Sequence, residues 1–233
     1  MRGVGPVLVI FDHVDGSVTN AALLQTNLKP VAGVPDQNYF PLKQGMSGRY
    51  KWTNTKHLKQ PEIERITVAA VASQTARLTA ESLSGPIRVK AQYGFSLRLD
   101  GLRNIWGSES AASLAKLPRL GHKRHFFTPV DLMTFGFNPL LAAYPQGGQS
   151  WRSGNARDLS LYGVTGSTKV IGIRRVHVPA GSFKALELRS TLTQKGHPFG
   201  SGVRTMWFAN GRGLVKLVFK HRDGSTSVVQ LLK

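Results

Sequence analysis

A chain of 233 residues, 41% of them hydrophobic, with 25 Gly and 12 Pro, has enough material to bury one large β domain or two smaller ones. It has no cysteine, which excludes disulfides, thiolate metal sites and a cysteine nucleophile, and no run near the roughly 18 apolar residues of a membrane helix. Its 31 Lys and Arg against 12 Asp and Glu give a formal charge of +19, a field that favours anionic lipid, an acidic polymer or nucleic acid as partner.

The excess is uneven. Met1 to Gly48 carries Arg2, Lys29 and Lys43 against Asp12, Asp15 and Asp36, so the whole +19 belongs to the rest of the chain. Met1-Arg2 and the apolar run that follows resemble a signal-peptide start, but Asp12 ends the run early and Thr19-Asn20-Ala21 is a poor cleavage site. VLVIF reads equally well as a buried strand, and a signal removed ahead of this numbering is a third reading. Residues 1–38 are therefore expected to be an N-terminal extension or first strand.

From Gly48 onward, period-2 alternation predicts strands at RYKW, EIERITVAAVA, TARLTAES, PIRVKAQY and FSLRLD. In the last two, Ile87, Val89, Ala91 and then Phe95, Leu97, Leu99 alternate with polar or basic residues, as a sheet with one wet face requires. These make a first β lobe, 39–110. The next segment, 111–146, breaks the pattern. ESAASLAKL favours one short helix ahead of Pro118, and LGHKRHFFTPVDLMTFGFNPLLAAYP reads as a long irregular connection, a boundary or a lid. A second lobe, 147–233, resumes with SWRSG, LSLYGV, TKVIGIRRVHVP, FKALELRST, VRTMWFAN, GLVKLVFKH and TSVVQLL. Gly172 marks a bulge, and Asp223-Gly224 a hairpin turn. YFPLKQGMSGRYKW and AAYPQGGQSWRS form a weak internal echo, one way to obtain two related lobes. The expected fold is mainly β: an antiparallel curved sheet, several sheets, or a half-barrel.

Three segments carry a resemblance: YFPLKQG (39–45), VPAGSFKALEL (178–188) and WFANGRGLVKL (207–217). They resemble a set of bacterial exported proteins and lipoproteins, the DUF3108-like group, and more distantly the half-barrel lipoprotein carriers. The resemblance covers about a third of the chain, mostly Leu161 to Leu232, and implies fold and export rather than an activity. The chain departs from it in lacking a lipobox cysteine, which puts lipid anchoring in doubt. Physically these are turn and packing motifs. Pro179 stops a strand, Gly181 and Asn210-Gly211 suit turn geometry, and Trp207 is expected in the core.

Patterns tested for chemistry are sparse. Ser113 and Lys116 match Ser-x-x-Lys without its partner motifs. Gly211-Arg212-Gly213 lacks the setting of a phosphate loop. Glu62 and Glu64 share one strand face and read as an ordinary edge; a hydrolase would have to assemble Glu109, Asp131 or Asp158 with a histidine. No cofactor or metal is implied. The densest cationic group, His122, Lys123, Arg124 and His125, suits an anion rather than a metal, with Arg88, Lys90 and Arg98 as further anion contacts. Phe126, Phe127, Phe135 and Phe137 are the apolar-groove candidates. With Lys216 and Lys220, the basic strands would form a nucleic-acid face only if aromatic residues shared their outward phase, and mostly they do not. The expected function is that of a non-enzymatic exported protein, periplasmic, at the cell surface or extracellular, binding an anionic or amphiphilic envelope component. A nucleic-acid-associated protein or a structural subunit of a larger assembly is the alternative.

Overall fold

The computed structural model describes residues 8–12, 14–15, 17–22, 38–87, 90–98, 100–109, 128–153 and 163–232. The chain divides into two compact units, Met1–Gln37 and Asn38–Lys233. In the first, Leu8–Asp12 (β1) pairs antiparallel with Val18–Ala22 (β2). Between them Asp15 Oδ1 accepts hydrogen bonds from Ser17 N at 2.9 Å and Ser17 Oγ at 2.7 Å, the local side-chain-to-backbone bonding that favours a turn.

The second unit is built on one 12-stranded antiparallel sheet. Ser47–Asn54 (β3), Glu62–Ala72 (β4), Thr75–Ser84 (β5), Lys90–Arg98 (β6), Gly101–Glu109 (β7) and Leu141–Ala142 (β8) step outward to one edge. The chain then crosses to the opposite edge. Ser150–Arg152 (β9), Val164–Val178 (β10), Gly181–Gln194 (β11), Gly202–Ala209 (β12), Gly213–His221 (β13) and Thr226–Leu231 (β14) step back until β14 pairs with β3.

This route dictates curvature. Laid flat, twelve strands would separate the edges by about 53 Å, yet the chain from Ala142 to Ser150 reaches at most about 28 Å. The edges meet: Trp151 Nε1 of β9 donates to Pro139 O, just ahead of β8, at 2.9 Å. The sheet is therefore strongly curved but open, the antiparallel curved sheet expected, with its two edges brought close together.

Its concave face holds one core, including Trp52, Tyr93, Phe95, Leu188, Leu192, Met206, Leu217 and Phe219. Pro129–Thr134 (α1) is buried there along its whole length. A smaller cluster of Val176, Ala185, Ala209 and Val215, joined by Phe183 and Trp207, forms separately.

Several local expectations change. PIRVKAQY and FSLRLD are not two strands: β6 runs through Gly94 with its alternation unbroken, Ala91, Tyr93 and Phe95 all buried, and the register shift opposite Gly94/Phe95 leaves the extra residue, Ile105, in β7. The strand β7, GLRNIWGSE, was not anticipated. It extends through Ser108 and Glu109, the start of the segment read as helical; 110–127 lies outside the described residues. Among the described residues an α-helix forms at PVDLMT, in the stretch read as irregular. Thr128 caps it, Pro129 begins it, and Thr128 and Asp131 form a capping box. Trp207 is half-buried beside the smaller cluster while Phe208 enters the main core, because Phe208 shares the inner phase of Arg204 and Met206 and Trp207 takes the opposite one. The bulge at Gly172 is present, and Gly181 and Gly211 have positive φ.

Candidate functional site

The helix sits between two polar clamps. At its N-terminus Tyr93 Oη donates to Asp131 Oδ1 at 2.8 Å and lies 2.7 Å from Thr128 Oγ1, while Asp131 Oδ2 accepts from Thr128 N at 3.0 Å. At its C-terminus Arg204 Nη1 donates to Leu132 O and Met133 O, each at 2.9 Å, and to Phe135 O. Burial lowers the Arg204 pKa to about 9, so the guanidinium is still charged at neutral pH, where cations favour a helix C-terminus. Gly136 leaves the room for it. A Cβ there would lie 3.3 Å from Arg204 Nη2, at a φ of +139° that side chains resist.

Beneath the helix lie Glu62 and Glu64, both fully buried. They are not on an edge: β4 lies between β3 and β5. Their phase is the inner one, because Glu62 works as an internal acceptor. It takes a hydrogen bond from Ser82 Oγ and another from Ile87 N at 2.9 Å. Glu64 differs. Neither of its oxygens has a hydrogen-bond partner among the described residues, and burial, followed by the charges of Glu62 and Asp131, pushes its pKa well above the usual carboxylate range. With Glu62, Glu64 and Asp131 all inside, the exterior is more cationic than the net charge alone conveys.

A cavity of about 600 Å³ opens where β3 begins and β14 ends, within the usual size of small-molecule sites. Phe40, Met46, Val68, Leu78, Val130 and Met133 supply apolar wall, and Arg49, Arg65 and Arg212 also line it. The segment ahead of β3 crosses this end of the barrel. Gly211 N donates to Asn38 O at 2.8 Å, Gly45 N to Val68 O at 2.9 Å, and Val68 N to Met46 O at 2.9 Å. Between those ties Phe40 packs 5.5 Å from Phe95 and 6.3 Å from Phe208, centroid to centroid.

The sequence candidates distribute as follows. Arg88, His122, Lys123, Arg124, His125, Phe126 and Phe127 lie outside the described residues, as do Ser113 and Lys116. Lys90 and Arg98 are exposed at opposite ends of β6, and neither lines the cavity. Phe135 and Phe137 are core residues, Phe135 packing 6.2 Å from Phe219. Asp158 is outside the described residues, and of Glu109 only the backbone is described; Asp131 faces Glu62 and Glu64 rather than a histidine. Sequence reasoning missed Phe40, Arg49, Arg65 and Arg212. Their signal was register: Arg49 and Arg65 are cross-strand partners.

One buried Ser–His contact has the look of chemistry and lacks its geometry. His221 Nε2 lies 2.9 Å from Ser227 Oγ, but Nδ1 meets the Phe199 carbonyl rather than a carboxylate, and both residues are buried. Asp223 bonds His57 instead, at 2.8 Å. The Phe199 carbonyl fixes the proton on Nδ1, leaving Nε2 to accept from Ser227. Burial lowers the His221 pKa to about 4, so this is a neutral packing pair. Among the described residues no group of three or more His, Asp or Glu is arranged to hold a metal, and no helix is long and apolar enough to cross a membrane.

No family model matches the chain, the DUF3108-like group included, and no curated protein matches it. Among solved structures it is similar to a protein from Bacteroides fragilis described as exported, with a YmcC-like fold: 13% identity over 82% of this chain and 96% of that one, TM-score 0.41. It is also similar to a protein from Parabacteroides distasonis described as a lipoprotein (15% identity, 83% and 96% covered, TM-score 0.43). A third is a hypothetical protein from Chlamydia trachomatis (5% identity, 82% and 86% covered, TM-score 0.40). Scores this low carry no inference about activity, which rests on the geometry above.

Proposed function

We propose that the protein is a non-enzymatic exported β-protein that binds an amphiphile of the cell envelope, anionic at one end and apolar at the other. One observation carries this reading: the cavity at the barrel end has an apolar wall between sheet and helix together with three arginines. An acyl or similar chain would take the apolar part, gaining about 0.8 kcal/mol for each buried methylene. The arginines would take the charged end, and the cationic exterior would draw the protein toward an anionic surface. The buried helix α1 supplies part of the cavity wall through Val130 and Met133. An acidic polymer fits less well, since it has no use for the apolar wall.

Vesicle flotation tests this. The protein is expected to float with vesicles containing phosphatidylglycerol, to stay down with phosphatidylcholine, and to lose binding as salt rises. Equal and negligible flotation with both at low salt overturns the reading. A salt-steep gel shift of oligonucleotides without flotation would replace it with a nucleic-acid role.

A further inference from the structure

The arginines at the cavity are arranged in a way that a general preference for anions does not require. Arg49 of β3 and Arg65 of β4 are direct cross-strand partners, both exposed and both at the cavity. Like charges placed directly opposite in an antiparallel pair destabilise it. The other pairs of this ladder avoid the conflict, with Lys51 facing Ile63 and Ser47 facing Thr67. On its other side Arg65 is in register with Glu81, yet its side chain makes no hydrogen bond or ion pair with any described residue, and neither does that of Arg212. By contrast with Arg65 and Arg212, Arg204 holds three helix carbonyls and Arg103 pairs with Asp100.

We infer that Arg49, Arg65 and Arg212 form a phosphate site, and that the amphiphile's charged end is a phosphate group rather than a carboxylate. The inference rests on the amphiphile reading above. A carboxylate has two oxygens, and one bidentate guanidinium fork satisfies them. A tetrahedral phosphate presents more acceptors and up to two charges, so it can bridge opposed forks and cancel their repulsion. Two arginines in cross-strand register, with a third lining the same cavity, match that demand. The adjoining apolar wall favours a phosphate carried on a hydrocarbon chain; free phosphate is the other source of the same chemistry.

Titration calorimetry on the full chain separates these cases, using dodecyl phosphate, dodecanoate and inorganic phosphate, each amphiphile kept below micelle formation. Dodecyl phosphate is expected to bind about tenfold or more tightly than dodecanoate, as bridging by two forks requires. Arg49→Gln and Arg65→Gln abolish that preference, and Arg189→Gln, at an exposed position away from the cavity, keeps it. Without ligand, Arg65→Gln melts at a higher temperature than the parent, because the opposed charge is gone; dodecyl phosphate raises the Tm of the parent and not of the variant. Equal binding of both amphiphiles overturns the phosphate site and leaves the amphiphile reading standing. Inorganic phosphate binding as tightly as dodecyl phosphate supports the phosphate site and overturns the amphiphile reading. No binding by any of the three overturns both.

Discussion

The two halves of the barrel contribute six strands each but present different interiors. The half from β9 to β14 offers a greasy wall of Leu186, Leu188, Leu192, Leu217 and Phe219, into which Arg204 and the uncharged Thr168, Ser190, Gln194, His221 and Ser227 are set. The half from β3 to β8 places Glu62, Glu64, Tyr93 and Asn104 on the inside. Each grips one end of the same short helix, Tyr93 at the start and Arg204 at the finish. The difference teaches that apolar burial supplies most of the stability, while the polar groups decide where the helix sits and so shape the cavity beside it.

The comparison can be broken most severely on the greasy side. Phe219→Ala, which empties a fully buried position against Phe135 and His221, is expected to cost about 3–5 kcal/mol in denaturant unfolding. Acid attacks the same half through His221. Its pKa is lowered to about 4 in the fold against about 6.5 unfolded; the unfolded state therefore binds the proton more readily, and stability falls as pH drops through that window. The full loss is on the order of 3 kcal/mol, and His221→Gln should remove most of that pH slope. Arg204→Met strips three helix carbonyls of their donor and is expected to cost about 3 kcal/mol, with α1 losing amide-exchange protection before the strands do.

The polar half should respond more gently. Tyr93→Phe removes the donor to Asp131 and is expected to cost about 1–2 kcal/mol, again loosening the helix first. Glu64 carries the smallest effect and the opposite sign. Its folded pKa is raised, so the stability it allows is complete below the ordinary carboxylate pKa and erodes as pH rises toward the folded value. Glu64→Gln is expected to flatten that alkaline-side decline, read as Tm across a pH series. If it leaves the slope unchanged, the charge state assigned to the polar half is wrong.

Much of the barrel was legible because alternation has one period and the strands obey it. IRRVHV, FKALEL and LVKLVF announced themselves, as did the bulge at Gly172 and the turn at Asp223-Gly224. The misses have local physical causes. PIRVKAQY and FSLRLD share one apolar phase, with Ala91, Tyr93 and Phe95 all buried, and Gly94, read as a break, lies inside a single strand whose neighbour β7 carries the extra residue Ile105. Glu62 and Glu64 lie at inner positions, where one receives a backbone N–H and burial raises the pKa of the other, and neither circumstance is written in EIER. The helix was announced by Thr-Pro-Val-Asp, a capping box with proline at its first turn, overlooked among aromatics. The cavity was not readable at all: Arg49 and Arg65 become neighbours only once β3 and β4 are in register, and Arg212 joins them from the far end of the chain.

The outermost strands, β8 and β9, are two and three residues long and are tied through the Trp151 indole. Brief, bridged margins give an incoming polypeptide little main chain on which to template itself. A protein built so largely of ribbon can thereby stay unaggregated at high concentration, and cutting that indole tie, as in Trp151→Ala, should show first as self-association rather than as unfolding.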